Sequence, residues 1–437
     1  MGTDGIIADT HLVPPYDSHS GAPSRMTQNR EHFESFEPHT RAKHLLLQTY
    51  FDTWARKLLL RPGAGDVLCY VDACAGAGVD QEGNPGSPVL AARTAREVET
   101  QLAEKYQRRV SVHTIAIEKN ARRFSQLRAN LEPFAPSARA LQGTLSEHIE
   151  ALFAEFGEVP MLFFIDPFGL EPLRSAVVAR ALSGPRNELL ALFADQAALR
   201  HFGAATAAEV DVDAEVESRM SALDLFNSID PDLGTQQERT VREEVSKRRK
   251  GRETTRPAAV EILNAAFGGN HWQAEVEACP PQQRRGRFIR LYEDMLRSCG
   301  ALYVISLPLR NDRDRHVYHL VYATKSPRGY SAMKEAITHA LKHAPLSGEA
   351  RDTMRFQIRS DLARIEQLIR KEFAGKVVRL TTGDSRRPGI REFVLEQTPA
   401  FPFEMEELKM RLKALKVPGR GPHQYSFPPP SDELNLR

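Results

Sequence analysis

The feature that most constrains the fold of this chain is a regular alternation of short apolar runs with longer amphipathic segments between residues 66 and 195. "DVLCYVDAC", "MLFFIDPFG" and "ELLALFAD" are apolar at nearly every position. The segments at 88–106, 121–131 and 145–156 have helical spacing instead. Strands without polar alternation, separated by helices, predict an α/β fold: a Rossmann-like parallel sheet with helices on both faces.

The flanking segments extend this sheet. "RAKHLLLQTYFDTWARKLLL" predicts an amphipathic helix before the first strand. Residues from about 196 to 264 are charged and helical, and we interpret them as a helical insertion. "ALYVISLPL" and "HVYHLVYAT" follow, close enough to form an antiparallel hairpin that closes the sheet. We therefore expect one Rossmann-like domain over residues 36–345.

The two ends of the chain have a different character. Residues 1–35 are polar, without an apolar period, and predict a flexible arm. Residues 346–437 contain helical patterns followed by the Gly-rich "PGRGPHQYSFPPP". Two helices followed by a turn and a strand predict a winged-helix-like module.

Charge and cysteine content exclude several classes of protein. With 59 Lys and Arg against 57 Asp and Glu, the net charge is only +2, so a nucleic-acid site would need a local basic cluster. The four cysteines have no metal-ligand spacing, and we expect no metal. No apolar run is long enough to span a bilayer, so we expect a cytoplasmic protein without a membrane partner.

The loop "VDACAGAGVDQEGNPGSP" is the first candidate site. It lacks the Gly-Lys-Ser/Thr of a P-loop, which disfavours a phosphate cradle. Glycines at the carboxyl end of a strand allow a ligand to approach the backbone, although the same pattern occurs in plain tight turns. The candidate cofactor residues here are Asp72, Ala73, Gly76 and Gly78.

Polar residues also end the next three strands. Glu118 can accept the hydroxyls of a ribose, or be a solvated acid, and Gly143 and Thr144 lie where an adenine would sit. Asp166 can accept a hydrogen bond from an amino group, and Pro167 and Phe168 can stack on a base, or the three can form a turn. Asp72, Glu118 and Asp166 together favour a cationic cofactor, S-adenosylmethionine, over NAD or ATP.

Four other features have competing interpretations. Lys43 either contacts the cofactor or is solvated. Trp272 is expected in the core rather than as a stacking platform. His316 and His319 point to opposite faces of a strand, which argues against a metal pair. "KRRKGR" is either a solvated helix face or a phosphate contact.

Six segments together resemble the three-Cys-motif partner protein family (TcmP), over roughly residues 38–430. They are "KHLLLQTYFDTW", "YVDACAGAG", "GNPGSPVLAA", "FFIDPFG", "FGGNHW" and "VYHLVYATKSPRGYSAMKEAI". The resemblance implies a class I methyltransferase-like fold and a partner, a radical-SAM-like protein that carries the three cysteines.

The order of motifs is more distantly similar to that of adenine-N6 methyltransferases of ribosomal RNA or DNA. Those enzymes carry Asp/Asn-Pro-Pro followed by an aromatic residue, whereas this chain has Asp166, Pro167, Phe168 and Gly169. The aromatic residue thus comes one position early.

Two functional hypotheses follow. In the first, the chain is an S-adenosylmethionine-dependent methyltransferase of nucleic acid, with Asp166, Pro167 and Phe168 as catalytic residues. In the second, it is a non-catalytic scaffold or DNA-binding component of a complex with the three-Cys-motif protein. The intact glycine loop and Glu118 favour the first, and the incomplete tetrad at Asp166 favours the second.

Overall fold

A computed structural model describes residues 38–61, 65–206, 231–310, 316–344, 348–382, 388–417 and 424–429. The expected N-terminal arm at residues 1–35 lies outside the described residues. The first half contains α1 (Pro38–Leu59), β1 (Val67–Asp72), α2 (Ser87–Tyr106), β2 (Ser111–Glu118), α3 (Ala121–Leu131), β3 (Ala138–Gln142), α4 (Leu145–Phe156), β4 (Met161–Ile165), α5 (Ser175–Ala181), β5 (Glu188–Phe193) and α6 (Asp195–Ala205). The expected alternation of strand and helix is confirmed.

The second half is mostly helical. It contains α7 (Pro231–Phe267), α8 (Trp272–Glu277), α9 (Arg284–Ser298), β6 (Tyr303–Arg310), β7 (His316–Thr324), α10 (Pro327–His343), α11 (Gly348–Gln357), α12 (Leu362–Glu372), β8 (Val377–Arg379), α13 (Ile390–Gln397), α14 (Met405–Arg411) and β9 (Gln424–Ser426).

One seven-stranded sheet organises the chain, in the order β3-β2-β1-β4-β5-β7-β6. Strands β1 to β5 are parallel, and β7 is antiparallel to both β5 and β6. The chain order reverses beside β1, so the carboxyl ends of β1 and β4 border the crevice where sheets of this type bind ligands. The predicted Rossmann-like fold class, a mostly parallel sheet with helices on both faces, is confirmed.

Helices cover both faces of the sheet. Helices α1, α2 and α10 pack on one face, where Tyr50 and Trp54 lie in the core. Helices α4 to α9 cover the other, around Phe193, Phe267 and Trp272. Trp272 is buried and donates its indole N–H to Oδ1 of Asn264 at 2.8 Å, so its predicted core role is confirmed. Because both faces are covered, the edges of the sheet remain the surfaces where strand residues meet solvent.

A buried polar network ties α1 to the sheet near the amino end of β5. Tyr50 donates its hydroxyl hydrogen to the carboxylate of Glu188, and its oxygen lies 2.6 Å from the hydroxyl of Tyr322. Thr324 donates to Oε1 of Glu188 at 3.0 Å. Burial raises the pKa of Glu188, and these hydrogen bonds lower it. The network joins α1, β5 and β7 at one point.

The expected insertion is helical where it is described. Helix α6 starts it, residues 207–230 lie outside the described part, and α7 extends over 37 residues. "KRRKGR" lies on α7, and its side chains lie outside the described residues.

The C-terminal region has a core of its own, built from α12, α13, α14 and the β8–β9 pair. Lys334 of α10, which is 0% exposed, joins this core to the sheet region. Its ammonium donates to the carbonyl oxygens of Thr398 and Ala400 at 2.8 and 2.9 Å. The chain forms more helices here than the two expected. The winged-helix assignment and the domain boundaries stay predictions.

Candidate active site at the carboxyl edge of the sheet

The structure brings the residues predicted from the sequence to one edge of the sheet. Asp72 and Glu118 end β1 and β2, and Gly143 and Asp166 directly follow β3 and β4. This placement results from the parallel pairing of the four strands, in which Asp72 lies opposite Ala116 and Phe164. The edge is therefore lined by carboxylates, and their environments differ.

The glycine loop after β1 has a defined conformation. Gly76 and Gly78 have φ angles of 63° and 81°, a region that side chains disfavour. The amide of Gly86 donates to the carbonyl of Gly78 at 2.8 Å. At the start of the loop, the amide of Ala73 donates to the carbonyl of Phe164 at 2.8 Å, which fixes the loop against β4. The loop thus forms a backbone-lined surface beside β4.

Asp72 is 0% exposed, which is unusual for a carboxylate. The amide of Cys74 donates to its Oδ1 at 3.3 Å, and the hydroxyl of Tyr70 donates to its Oδ2 at 3.4 Å. Burial raises the pKa of Asp72 to about 7; a hydrogen bond from Ser87 lowers it and the charge of Asp166 raises it. A cationic group at this position would favour the ionised form of Asp72.

Lys43 of α1 forms an ion pair with Asp166. Both lie far apart in sequence and meet because α1 packs across the sheet beside β1 and β4. The ammonium also lowers the pKa of Asp72, and, after burial, it is the main reason that the pKa of the neighbouring His44 falls to about 3. Lys43 was predicted to contact a cofactor. In the structure it lies among the acidic residues of this edge and pairs with Asp166, the predicted catalytic residue.

Phe168 is 94% exposed, whereas Leu170, two residues later, is buried. Pro167, which connects Asp166 to Phe168, is half-buried. Burying a phenylalanine side chain is worth about 1.5–3 kcal/mol, so an exposed ring lacks a favourable contact that a planar ligand would supply. The loop therefore presents an aromatic face next to Asp166.

Glu118 accepts hydrogen bonds from several protein groups. The amide of Gly76 donates to Oε2 at 3.0 Å, the amide of Asn120 donates to Oε1 at 2.7 Å, and Nε of Arg123 donates to Oε1 at 3.2 Å. A carboxylate has roughly four acceptor positions, so Oε2 keeps one for a further donor. The glutamate links the glycine loop to the end of β2.

Gly143 and Thr144 shape the turn into α4. Gly143 has a φ of 132° and donates its amide hydrogen to the carbonyl of Glu118 at 3.1 Å. A Cβ at Gly143 would lie 2.6 Å from Oε2 of Glu147, whose side chain would have to shift, and the backbone conformation itself is one that other residues rarely adopt. Thr144 caps α4 in a capping box with Glu147. The Thr144 side chain thus has a structural role at the position predicted to lie near an adenine.

One cluster at the same edge was not predicted from the sequence. Asp195, the first residue of α6, is 0% exposed, and its Oδ2 lies 3.1 Å from Nδ1 of His319 on β7 and 3.5 Å from Nε of Arg285 on α9. Because a carboxylate only accepts, Nδ1 carries the ring proton. We call these three residues the Asp195 cluster. Its members come from three distant segments, which meet through the antiparallel pairing of β5 with β7 and the packing of α9 on α6 and β7.

Other types of site are not found in the described part of the chain. Among the residues that the structure describes, no group of three or more His, Cys, Asp or Glu could hold a metal ion. None of the described helices is both long and apolar enough to cross a membrane. A cavity of about 420 Å³ lies between α5, α7 and α9, lined by residues including Ser175, His271, Asp294 and Cys299, and no predicted site residue lines it.

Comparisons with known proteins give only weak similarity. No protein family model matches the chain, and no curated protein matches it. Among solved structures, the METTL16 MTase domain matches with a TM-score of 0.27 and 9% identity over 63% of this chain and 66% of that chain. The cyclopropane synthase MmaA2 from Mycobacterium tuberculosis matches with a TM-score of 0.21 and 12% identity over 63% and 82%. A geranyl diphosphate methyltransferase in complex with GPP and sinefungin matches with a TM-score of 0.20 and 12% identity over 62% and 78%. Similarity at this level carries no information about the function of this chain.

Proposed function

We propose that the protein is an S-adenosylmethionine-dependent methyltransferase that acts on an amino group of a nucleic-acid base. The observation that carries this proposal is the pairing of Asp166 with an ammonium group beside the exposed ring of Phe168. An acceptor for N–H donors next to a free aromatic face is what a planar base with an exocyclic amine requires.

The residues around the glycine loop fit the proposed cofactor. Gly76 and Gly78 leave the backbone open for close approach, and Glu118 keeps an acceptor position for a ribose hydroxyl. Asp72 and Asp166 provide negative charge for a sulfonium and an amino group. When bound, the cofactor supplies an electrophilic methyl group. We assign its binding to Asp72, Ala73, Gly76, Gly78 and Glu118, with the adenine near Gly143 and Thr144.

The chemistry of this chain would come mainly from positioning. The acceptor amine takes the place of the Lys43 ammonium on Asp166, and the base stacks on Phe168. Asp166 would accept an N–H of the acceptor amine and so direct its nitrogen toward the methyl group that the cofactor supplies, and the proton that the methylated nitrogen loses would pass to the Asp166 carboxylate. Lys43, displaced toward Asp72, keeps the charge of the site balanced.

Tritium transfer from labelled cofactor to RNA and DNA oligonucleotides tests the proposal. Asp166→Ala is expected to lower the rate by about 100-fold or more, since positioned polar groups at reacting centres contribute factors of this size. Glu171→Ala removes an exposed acid five residues away, paired only loosely with Arg174 at 3.9 Å, and serves as the matched control. Equal rates in the two variants would refute the role of Asp166.

The resemblance to the TcmP family adds a partner to this proposal. We propose that the chain works with a three-Cys-motif protein, which is consistent with its own four cysteines all being free. Transfer should then depend on, or be stimulated by, the copurified partner. A rate that is unchanged by a stoichiometric amount of that protein would argue against the partnership.

A non-catalytic scaffold is the second candidate, and one observation favours it. Arg123 and two backbone amides already engage Glu118, which leaves less capacity for a ribose. In that case DNA binding by the C-terminal region would be the main activity. Lys413→Glu in the full chain should then weaken DNA binding, whereas the methyltransferase proposal expects no effect of this exposed side chain on cofactor binding.

A further inference from the structure

We propose that Arg285 and His319, oriented by Asp195, bind the phosphodiester backbone of a single-stranded nucleic acid whose target base lies on Phe168. This inference rests on the proposed function, because it assigns a binding surface for the acceptor strand. It adds a site that no sequence motif indicated.

The Asp195 cluster holds an imidazole and a guanidinium against one buried carboxylate. A fully buried carboxylate is costly unless it is paired, and here the same oxygen contacts both the imidazole and the guanidinium. The side chain of Arg285 is 42% exposed and that of His319 is 13% exposed. Thus the Nε of Arg285 lies 3.5 Å from a buried carboxylate oxygen, while the side chain still reaches solvent.

The cluster lies close to the proposed acceptor site. Ile165, just before Asp166, pairs with Ala191, and Phe193 pairs with His319. The backbones of the two strands that carry Asp166 and His319 are therefore separated by two strand spacings, about 10 Å in total. A nucleotide's sugar and phosphate can cover such a span.

The surface around the cluster is locally basic, although the net charge of the chain is only +2. The first two turns of α9 carry four arginines, at 284, 285, 287 and 290, and no acidic residue before Glu293. Arg284 stacks over the ring of Phe202 at 4.9 Å, and Arg287 pairs with Glu275. Arg285 and Arg290 keep exposed charge at the amino end of the helix, where the helix dipole also favours anions.

This combination of groups points to a nucleic-acid strand. Guanidinium groups bind phosphate in a bidentate geometry, and an exposed aromatic ring beside cations is the usual arrangement for single strands. A base in a duplex would have to leave its stack to reach both Phe168 and Asp166. A single strand meets these requirements without that cost.

Fluorescence anisotropy with labelled RNA and DNA oligonucleotides, using the full chain, tests the inference. Arg285→Ala is expected to weaken binding about 5- to 20-fold and to reduce the slope of log K against log salt by about one. Arg285→Lys, which keeps the charge but loses the bidentate geometry, should give an intermediate loss. Arg297→Ala is the matched control, because Arg297 lies near the other end of α9 and pairs with Asp294 at 2.8 Å.

Cofactor binding, measured by calorimetry on the same variants, separates this inference from the proposed function. If Arg285→Ala binds the nucleic-acid strand more weakly but binds the cofactor as wild type does, the variant is folded and the proposed strand-binding surface is supported. The inference is overturned if Arg285→Ala binds the strand as tightly as wild type, or if Arg297→Ala loses as much strand binding as Arg285→Ala. Preferential binding of an acidic peptide over both oligonucleotides would also overturn it. Arg285-dependent strand binding without any cofactor binding would leave this surface standing and refute the methyltransferase proposal alone.

Discussion

Cofactor affinity should depend on pH because of a single buried group, Asp72. Its carboxyl is fully buried, and burial raises its pKa to about 7. Since a cationic amino group requires the ionised carboxylate, binding below this pKa must release one proton. Affinity is then reduced by about 11-fold near pH 6 and by only about 1.3-fold near pH 7.5, since each unit below the pKa gives a factor of ten.

The assay is calorimetric titration with S-adenosylhomocysteine between about pH 6 and 7.5, where an α-amino group remains mostly protonated. We expect affinity to rise about eightfold over this range. His44 does not interfere, because burial lowers its pKa to about 3.

Two variants test whether Asp72 is the cause. Asp72→Asn should bind more weakly at high pH and lose the pH dependence. Asp66→Asn is the control, because Asp66 immediately precedes β1, at the opposite edge of the sheet, and is 60% exposed beside Arg108. An affinity that is independent of pH in the wild type, or an unchanged slope in Asp72→Asn, would refute the reasoning.

Three further predictions concern stability and stacking. Lys334→Met should lower the free energy of unfolding by about 1–3 kcal/mol in urea titrations, because two buried carbonyls lose their donor; an unchanged midpoint would contradict this. Gly329→Ala should destabilise by a similar amount, about 1–3 kcal/mol, because its Cβ would lie 2.7 Å from the hydroxyl of Tyr322, and a thermal melt that matches wild type would disprove it. Phe168→Ala should leave the melting temperature within about 1 °C, because surface changes are worth only about 0.5 kcal/mol, while methyl transfer falls. A normal transfer rate would exclude stacking on this ring.

The local pattern of the sequence was sufficient for most of the sheet and for the acids at its edge. Strand ends are set by nearby residues, and parallel pairing brings all such ends together, so Asp72, Glu118 and Asp166 could be predicted from spacing alone. Helix bounds such as 121–131 and 145–156 followed from apolar periodicity in the same way.

Contacts between distant segments could not be predicted. The ion pair of Lys43 with Asp166 depends on how α1 crosses the sheet, and nothing near either residue encodes that angle. His319 was considered only as half of a metal pair, because its partner Asp195 becomes visible only when β7 is aligned with β5. The exposure of Phe168 likewise depends on the orientation of the turn after β4, in which Leu170, two residues later, is buried.

The buried hydrogen bonds of Tyr50, Glu188 and Tyr322 fix the position of α1 on the sheet. Lys43 precedes Tyr50 by seven residues, two helical turns, which places the two on the same face of α1 about 10 Å apart. At Tyr50 the helix is hydrogen-bonded to the amino end of β5, and at Lys43 it places an ammonium group beside Asp166. Substitutions at Glu188 would therefore change how often Lys43 pairs with Asp166, although Glu188 does not contact Asp166. A genetic screen for altered acceptor preference should recover changes at Tyr50, Glu188 and Tyr322 as well as at the carboxyl edge of the sheet.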